Sequence, residues 1–194
     1  MAKLIKGTKT EINLAISFAG ECMARTRYAF YASKAKKEGY EQISEIFLET
    51  AENEKEHAKT FLTLLQNDGS TVPINFNVPN FAISTTLDNL KYAASFESDE
   101  WKNVYPTMAK TADSEGFPKI ASVFRKIAEV EKAHEERYTI LINQVQQGNV
   151  FKRRTEVYWK CRNCGYICKG LEAPSICPLC NHPQSFFQVK EQLE

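Results

Sequence analysis

Glu54-Lys55-Glu56-His57 recurs as Glu131-Lys132-Ala133-His134, and each Glu-x-x-His pair follows a lone glutamate, Glu21 or Glu97, at nearly the same distance. The step is 33 residues from Glu21 to Glu54 and 34 from Glu97 to Glu131, and the second copy is displaced by 76 or 77 positions. Such a repeat predicts two half-sites related by an approximate two-fold, each giving one Glu and one Glu-x-x-His. Helix positions three apart differ by ~60° of azimuth and ~4.5 Å of rise, so the Glu and His of one pair converge on a single ion. Carboxylates with imidazole suit iron or manganese, and shared carboxylates hold two ions ~3.5–4 Å apart. The stretch therefore predicts a carboxylate-bridged di-metal site.

Working outward, Thr8-Lys9-Thr10-Glu11 resembles a capping box and opens a proline-free helix that runs to Lys37, before Gly39. Its inward stripe reads Leu14, Phe18, Glu21, Arg25, Tyr28 and Ala32, with Arg25 expected to snorkel or to pair with a site carboxylate. A second helix is predicted from Tyr40 to Asn67, closed by Gly69, with Ile43, Phe47, Thr50, Glu54, His57, Phe61 and Leu65 inward. Residues 69–84 carry two prolines, no charge and no helical period. Extended, they reach ~53 Å, more than the ~42 Å of a 28-residue helix, so the flanking helices can run parallel. One long crossover in an otherwise antiparallel bundle is the ferritin-like topology. The third helix is predicted from Thr85 to Glu115, with Leu90, Ala94, Glu97, Trp101, Val104 and Met108 inward and a kink from Pro106 just after Tyr105. The fourth begins at Pro118 and carries Ile120, Phe124, Ile127, Glu131, His134, Tyr138, Leu141 and Val145 before Gly148. Residues 149–156 read as a polar, basic linker.

A lone Glu-x-x-His on a helix rich in Glu and Lys is ordinarily a solvated face. Here the acids fall on the apolar stripes, where an unpaired carboxylate is too costly to bury without a cation. Glu100, one turn beyond Glu97 and on nearly the same face, exceeds the four-Glu, two-His template. With Glu21, Glu54, Glu97 and Glu131 it makes five negative charges, which two divalent ions leave near −1.

The chain has 194 residues, with 25 Lys and Arg against 24 Asp and Glu, so no global field argues for nucleic acid or an anionic membrane. It has no long apolar run, and Met-Ala-Lys-Leu-Ile-Lys lacks the apolar stretch of a secretory signal. A soluble, cytoplasmic protein is expected. Five of the six cysteines follow residue 160. Cys161-Arg-Asn-Cys164-Gly165-Tyr166 and Cys177-Pro178-Leu-Cys180 are two knuckles separated by twelve residues, which in a reducing compartment predict a tetrathiolate metal site. Structural zinc and redox iron both fit that spacing. Cys22 and Cys168 are expected as small buried apolar residues. The reading gives two domains, a bundle over 1–148 and a linker with a cysteine domain over 149–194.

Over essentially its whole length the sequence resembles the rubrerythrins, on Glu21, Glu54-x-x-His57, Glu97-x-x-Glu100, Glu131-x-x-His134, Cys161-x-x-Cys164-Gly165 and Cys177-Pro178-x-Cys180. Glu100 and the fused knuckles separate it from plain ferritins and bacterioferritins. The resemblance implies an all-α ferritin-like four-helix bundle followed by a rubredoxin-like domain, with two non-haem irons and one iron bound by four cysteines. It implies that Glu54 and Glu131 bridge the irons, that Glu21 binds one, that Glu97 and His134 bind the other, and that Glu100 and His57 alternate on the first. Tyr28 and Tyr105 match tyrosines beside the irons, while Cys168 departs from the usual rubredoxin-like pattern.

The implied activity is reduction of hydrogen peroxide to water, with electrons relayed through the tetrathiolate iron. A rubredoxin or an NAD(P)H-dependent reductase would supply them, since the chain has no Gly-x-Gly-x-x-Gly fingerprint of its own. From His134 to Gly148 a helix rises ~21 Å, which argues for a head-to-tail homodimer, or a higher oligomer, in which one chain's tail serves its partner's bundle. Two other classes fit the same ligands: an iron-oxidising storage protein, and a bundle whose zinc ribbon is an interaction module.

Overall fold

The structure is a computed structural model that describes residues 4–65, 69–75, 77–80 and 82–190. Helix α1 (Lys9–Lys37) opens on Thr8, whose hydroxyl accepts the Glu11 N–H at 3.1 Å. The returning half of the expected capping box is displaced by one residue. Glu11 Oε2 accepts the Gly7 N–H at 2.7 Å, because the Thr8 N–H is already bonded to the Ile5 carbonyl at 3.0 Å. Arg25 is exposed and Ala24 takes the buried position beside it, so the inward stripe of α1 excludes the cation. Helix α2 (Glu41–Leu64) stops earlier than expected, at an extended Leu65 (φ −70°, ψ 152°); Asn67 lies outside the described residues.

Helix α3 (Thr86–Asp99) opens on Thr85, whose hydroxyl accepts the Asp88 N–H at 3.2 Å. It passes without a break through a π-helical turn, Glu100–Val104, into α4 (Tyr105–Ser114). The expected single α-helix thus gains a wider turn just before Pro106, where the Tyr105 N–H bonds back to the Glu100 carbonyl. Pro106 has no N–H to offer the preceding turn, which favours such an adjustment. The extra residue shifts the buried stripe. After Leu90, Ala93 and Glu97 the buried positions are Tyr105, Ala109 and Ala112, while Trp101, Val104 and Met108 are only half-buried. Helix α5 (Pro118–Gln146) buries Ile120, Phe124, Ile127, Glu131, His134, Tyr138 and Leu141 as read, with Val145 half-buried.

The bundle core has two parts. One joins Tyr28, Tyr31 and Ala35 of α1 with Ile43 and Phe47 of α2, Leu90 and Ala93 of α3, and Tyr138 and Leu141 of α5. The other joins Leu14, Phe61, Tyr105, Ala109, Ile120 and Phe124. The starts of α2 and α3 therefore share one end of the molecule, and these helices run parallel on either side of the long connection. This is the expected four-helix bundle, with α3, the π turn and α4 forming its third member.

Beyond Gly148 the expected linker is shorter than read, because strand β1 (Lys152–Cys161) already occupies residues 152–156. It pairs antiparallel with β2 (Ile167–Glu172) and β3 (Phe187–Val189), in the order β2-β1-β3. The first part of β1 is an exposed two-stranded ribbon with no buried face, so its polar side chains carry no strand signal. Trp159, Cys161, Ala173, Cys177 and Phe187 form a small separate core. This sheet packs at the turn between α1 and α2: Phe151 stacks on Tyr40 at 6.2 Å, and Arg162 lies 3.7 Å from Glu45. Among the described residues no helix is long and apolar enough to cross a membrane.

Candidate metal centres

All four members of the bundle deliver ligand atoms to its midplane, between the two apolar clusters. Glu21, Glu54, His57 and Glu131 form one set, and Glu54, Glu97, Glu131 and His134 a second. Within each set the ligand atoms lie within 4.8 Å of one another, and Glu54 and Glu131 belong to both. The Glu-x-x-His spacing does what the helix geometry requires. His57 Nδ1 stands 2.8 Å from Glu54 Oε2 and 3.0 Å from Glu131 Oε1; His134 Nδ1 stands 2.9 Å from Glu131 Oε2 and 3.3 Å from Glu54 Oε1. Each imidazole thus faces both shared carboxylates, the arrangement that two ions bridged by Glu54 and Glu131 demand.

These groups do not satisfy one another. Glu21 Oε2, Glu54 Oε1, Glu97 Oε2, both oxygens of Glu131 and Nδ1 of His134 are buried without a hydrogen bond. Several buried carboxylate oxygens left this way are strongly destabilising. Cations among them supply the missing partners, so the donor set fits two metal ions.

With protein charges alone, burial pushes the Glu97 carboxyl up to about 8 and holds Glu21 and Glu100 well above the ordinary range. Burial alone would lower His57, but Glu131 and Glu54 overcome it and raise the ring to about 9. The same opposition, with Glu131 foremost, carries His134 to about 12. Burial works upward on Glu54 too, yet the two histidines hold it below its usual value.

Tyr28 and Tyr105 orient the terminal carboxylates reciprocally. The Tyr28 hydroxyl donates to Glu97 Oε1 and the Tyr105 hydroxyl to Glu21 Oε1. Each bond occupies one oxygen and leaves Oε2 of the same carboxylate buried without a hydrogen-bond partner, available to an ion. Burial pushes both phenols well above their usual range, so they stay hydrogen-bond donors. Glu100 belongs to neither ligand set. Its charge raises Glu21, and after burial it is raised in turn by Glu97, Glu131 and Glu54, so it lies against the cluster as a whole.

Two contacts were not legible from residue type. Asn53 Oδ1 lies 3.2 Å from His134 Nε2, and Trp101 of the π turn donates its indole N–H to Glu135 at 2.5 Å. The position of Asn53, immediately before Glu54, was the only available signal for the first.

In the sheet, Cys161, Cys164, Cys177 and Cys180 converge, with Sγ–Sγ distances of 3.8 Å for Cys161 and Cys180 and 3.6 Å for Cys164 and Cys177. The knuckles are copies of one turn. Gly165 N–H bonds the Cys161 carbonyl and Asn181 N–H the Cys177 carbonyl, both at 2.9 Å, with both residues at positive φ (77° and 58°). Glycine takes that conformation without a Cβ penalty and asparagine is among the residues that tolerate it. Within the thiol cluster the backbone N–H of His182 holds Cys180 down at about 6. The Tyr166 N–H works downward on Cys164, but burial and the other three thiols push it up to about 12. Cys22 is exposed, against expectation, because it sits one residue off the inward stripe of α1; Cys168 is half-buried on β2 opposite Trp159.

The chain thus holds a carboxylate and histidine di-metal site and a four-cysteine metal site. The family model Rubrerythrin matches residues 13–142, and the model for the rubrerythrin, rubredoxin-like domain matches residues 159–188. A rubrerythrin of Clostridium perfringens is 55% identical over 189 residues, covering 96% of this chain and 97% of the relative. One of Porphyromonas gingivalis is 52% identical over 188 residues, covering 97% and 93%. Among solved structures, nigerythrin in its fully reduced, all-ferrous state superposes with a TM-score of 0.64 at 29% identity, covering 97% of this chain and 92% of that one.

Proposed function

The chain belongs to the rubrerythrin family, and from that premise we propose that it is a non-haem di-iron peroxidase that reduces hydrogen peroxide to water. The observation that carries this reading is Glu100, a half-buried carboxylate set against two ligand sets that are complete without it. A storage or purely structural site has no use for a spare ligand, whereas a centre that changes charge does. The donor set of oxygen and imidazole suits iron, and the all-ferrous state of nigerythrin supports the same metal.

When bound, two irons supply the two electrons that, with two protons, convert H₂O₂ into two H₂O. Glu54 and Glu131, members of both ligand sets, would hold the two ions next to each other. Tyr28 and Tyr105 hold Glu97 and Glu21 with one oxygen turned inward. His57 and Glu100 are the pair we infer to exchange on the first position as the charge changes. The apolar clusters on either side exclude bulk water.

We further infer that the four cysteines hold iron, that this iron passes electrons from a rubredoxin or an NAD(P)H-dependent reductase, and that the setting is cytoplasmic, where thiols stay reduced. The sheet lies at the α1–α2 end, beside Glu45, and nine residues of helix at ~1.5 Å each separate that level from Glu54. That is ~14 Å, less than the ~21 Å expected from the end of the last helix. The head-to-tail homodimer, in which one chain's thiolate iron serves its partner's di-iron centre, is therefore proposed on the prevalence of closed two-fold assemblies and not on this distance.

The test is metal analysis and peroxide turnover of anaerobically purified protein. About three irons per chain, a red thiolate-to-iron band and donor-linked peroxide consumption support the reading; zinc in the thiolate site of a colourless, inactive protein overturns it. Glu100→Ala should keep the iron content yet turn over ~10–100-fold more slowly, and parental turnover would remove the exchange from the mechanism. For the dimer, mixing a Cys177→Ser chain with a Glu54→Ala, Glu131→Ala chain should recover activity that neither shows alone.

A further inference from the structure

We propose that Asn53 is a positioning residue that makes the two halves of the di-metal centre mechanically unequal, fixing the His134 ring and leaving His57 as the imidazole able to exchange. The inference rests on the reading of the centre as one that cycles between redox states, since only then does the inequality have a use.

His134 presents Nδ1 to Glu131, Glu54 and Glu97, at 2.9, 3.3 and 3.8 Å. An imidazole that binds an ion through Nδ1 carries its proton on Nε2, and here Nε2 meets Asn53 Oδ1 at 3.2 Å. An amide oxygen in that place fixes both the tautomer and the rotation of the ring. Asn53 projects from α2 and His134 from α5, so the bond also ties the two helices that carry the shared carboxylates.

The repeat supplies the control. A displacement of 77 residues carries Glu54 to Glu131, His57 to His134 and Asn53 to Val130. Val130, exposed on α5, thus holds the repeat position of Asn53, and its side chain has no acceptor to offer. Among the described residues no side chain hydrogen-bonds His57 Nε2, and the His57 side chain is 13% exposed against 5% for His134. Tether and missing tether assign the mobile position to the same half.

The test uses the full chain with its metals, reduced anaerobically, and follows Fe²⁺ release to a chelator, the thiolate iron being tracked separately by its visible band. The parental protein should lose the two bundle irons in two phases. Asn53→Ala should speed the slower phase ~10–100-fold and leave the faster one unchanged, while Asn53→Asp, which keeps an acceptor, should restore the slow phase. Val130→Asn should slow the faster phase and, with it, peroxide turnover. A single parental phase, or an Asn53→Ala effect that is nil or equal on both phases, overturns the proposal. Should Asn53→Ala fail to assemble a helical bundle, Val130→Asn decides alone, and an unaltered fast phase counts against the idea. Release kinetics shifted as expected in a protein inert toward peroxide would overturn the peroxidase reading and leave Asn53's role standing.

Discussion

In the first half of the bundle Tyr28 reaches across to Glu97 of the second, and in the second half Tyr105 reaches back to Glu21. Glu38 at the end of α1 caps the start of α3 through the Thr86 N–H at 2.8 Å, and Glu115 at the end of α4 caps the start of α1 through the Thr10 N–H at 2.8 Å. The displacement of 77 relates Thr8 to Thr85, Tyr28 to Tyr105, Glu38 to Glu115, Gly39 to Gly116 and His57 to His134. Only the lone glutamates break it, at 76. The missing residue returns just afterwards, since seven positions separate Glu21 from Tyr28 and eight separate Glu97 from Tyr105. A π turn absorbs one residue without changing which face continues inward, so Tyr105 still meets Glu21. The turn that absorbs the slip is also the one that begins with Glu100. The second half differs from the first by one residue, and that difference coincides with the spare ligand.

The most severe way to probe the two halves is to remove their shared groups. Glu54→Ala and Glu131→Ala each delete a member of both ligand sets. Either should cost both bundle metals and all peroxide turnover, leaving about one metal per chain in the cysteine site. Retention of one bundle metal in either variant would mean that the halves bind independently.

A smaller but still large effect is expected from pH on protein stripped of its ions by a chelator. Glu97, at about 8 against a usual 4.5, and His57, at about 9 against 6.5, bind more protons folded than unfolded. Their contribution is complete below the usual values and is lost as pH rises through them to the folded ones. Glu54, held low, acts oppositely and loses its contribution only in acid. The chelated bundle should therefore lose on the order of 10 °C in Tm between pH 5 and 9, read by helical circular dichroism. Metal-loaded protein should be flatter, because cations take the place of those protons. Equal slopes with and without metal would contradict the assignment of these buried groups as ligands.

How much of this could be read beforehand follows from which interactions are local. The Glu-x-x-His pairs, the inward stripes of α2 and α5 and the cysteine knuckles depend on spacing within one element. The pairs and knuckles converge as read, and the stripes hold except at their ends, where Leu65 lies past α2 and Val145 is half-buried. The 76-or-77 ambiguity was visible, but its meaning was not, because a π turn is set by the Tyr105 bond to the Glu100 carbonyl and not by the preference of any residue in it. The extra turn is why Trp101 and Met108, read as core, are half-buried. Residues 152–156 looked like a linker because a ribbon with two solvated faces has no alternation to detect. Asn181 escaped notice as the counterpart of Gly165, since only the backbone angle reveals the likeness.

Comparing Tyr28→Phe with Tyr105→Phe tests whether the reciprocity is functional on both sides. Each removes one hydrogen bond to a carboxylate, a loss of about 1.5–3 kcal/mol when the acceptor is charged, and each should lower peroxide turnover about tenfold with iron content preserved. If Tyr105→Phe alone mattered, the first ion would depend on its orienting bond more than the second, as expected where the ligand exchanges.

The smallest effect separates the helix starts. Thr8→Ala and Thr85→Ala remove equivalent caps, each accepting the N–H three residues on, at 3.1 and 3.2 Å. A threonine cap is worth ~1 kcal/mol, or ~2–4 °C of Tm in a protein of this size. Around α1 the neighbouring amides have other acceptors, with Glu115 taking Lys9 N–H at 3.1 Å as well as Thr10 N–H, and Glu11 taking Gly7 N–H. Around α3 Glu38 takes the Thr86 N–H and Asn89 the Ser84 N–H at 2.9 Å, but Thr85 also bonds Asp88 through its own hydroxyl at 2.8 Å. The Thr8 hydroxyl likewise donates to the Ile5 carbonyl, so each substitution breaks two side-chain bonds. Only Thr85→Ala leaves a charged acceptor short of a donor, and on that difference alone it should cost slightly more than removing Thr8. Metal-loaded protein, monitored by thermal unfolding, should give the larger Tm loss for Thr85→Ala. Equal losses would mean that the start of α3 is held by the long connection before it and not by its cap.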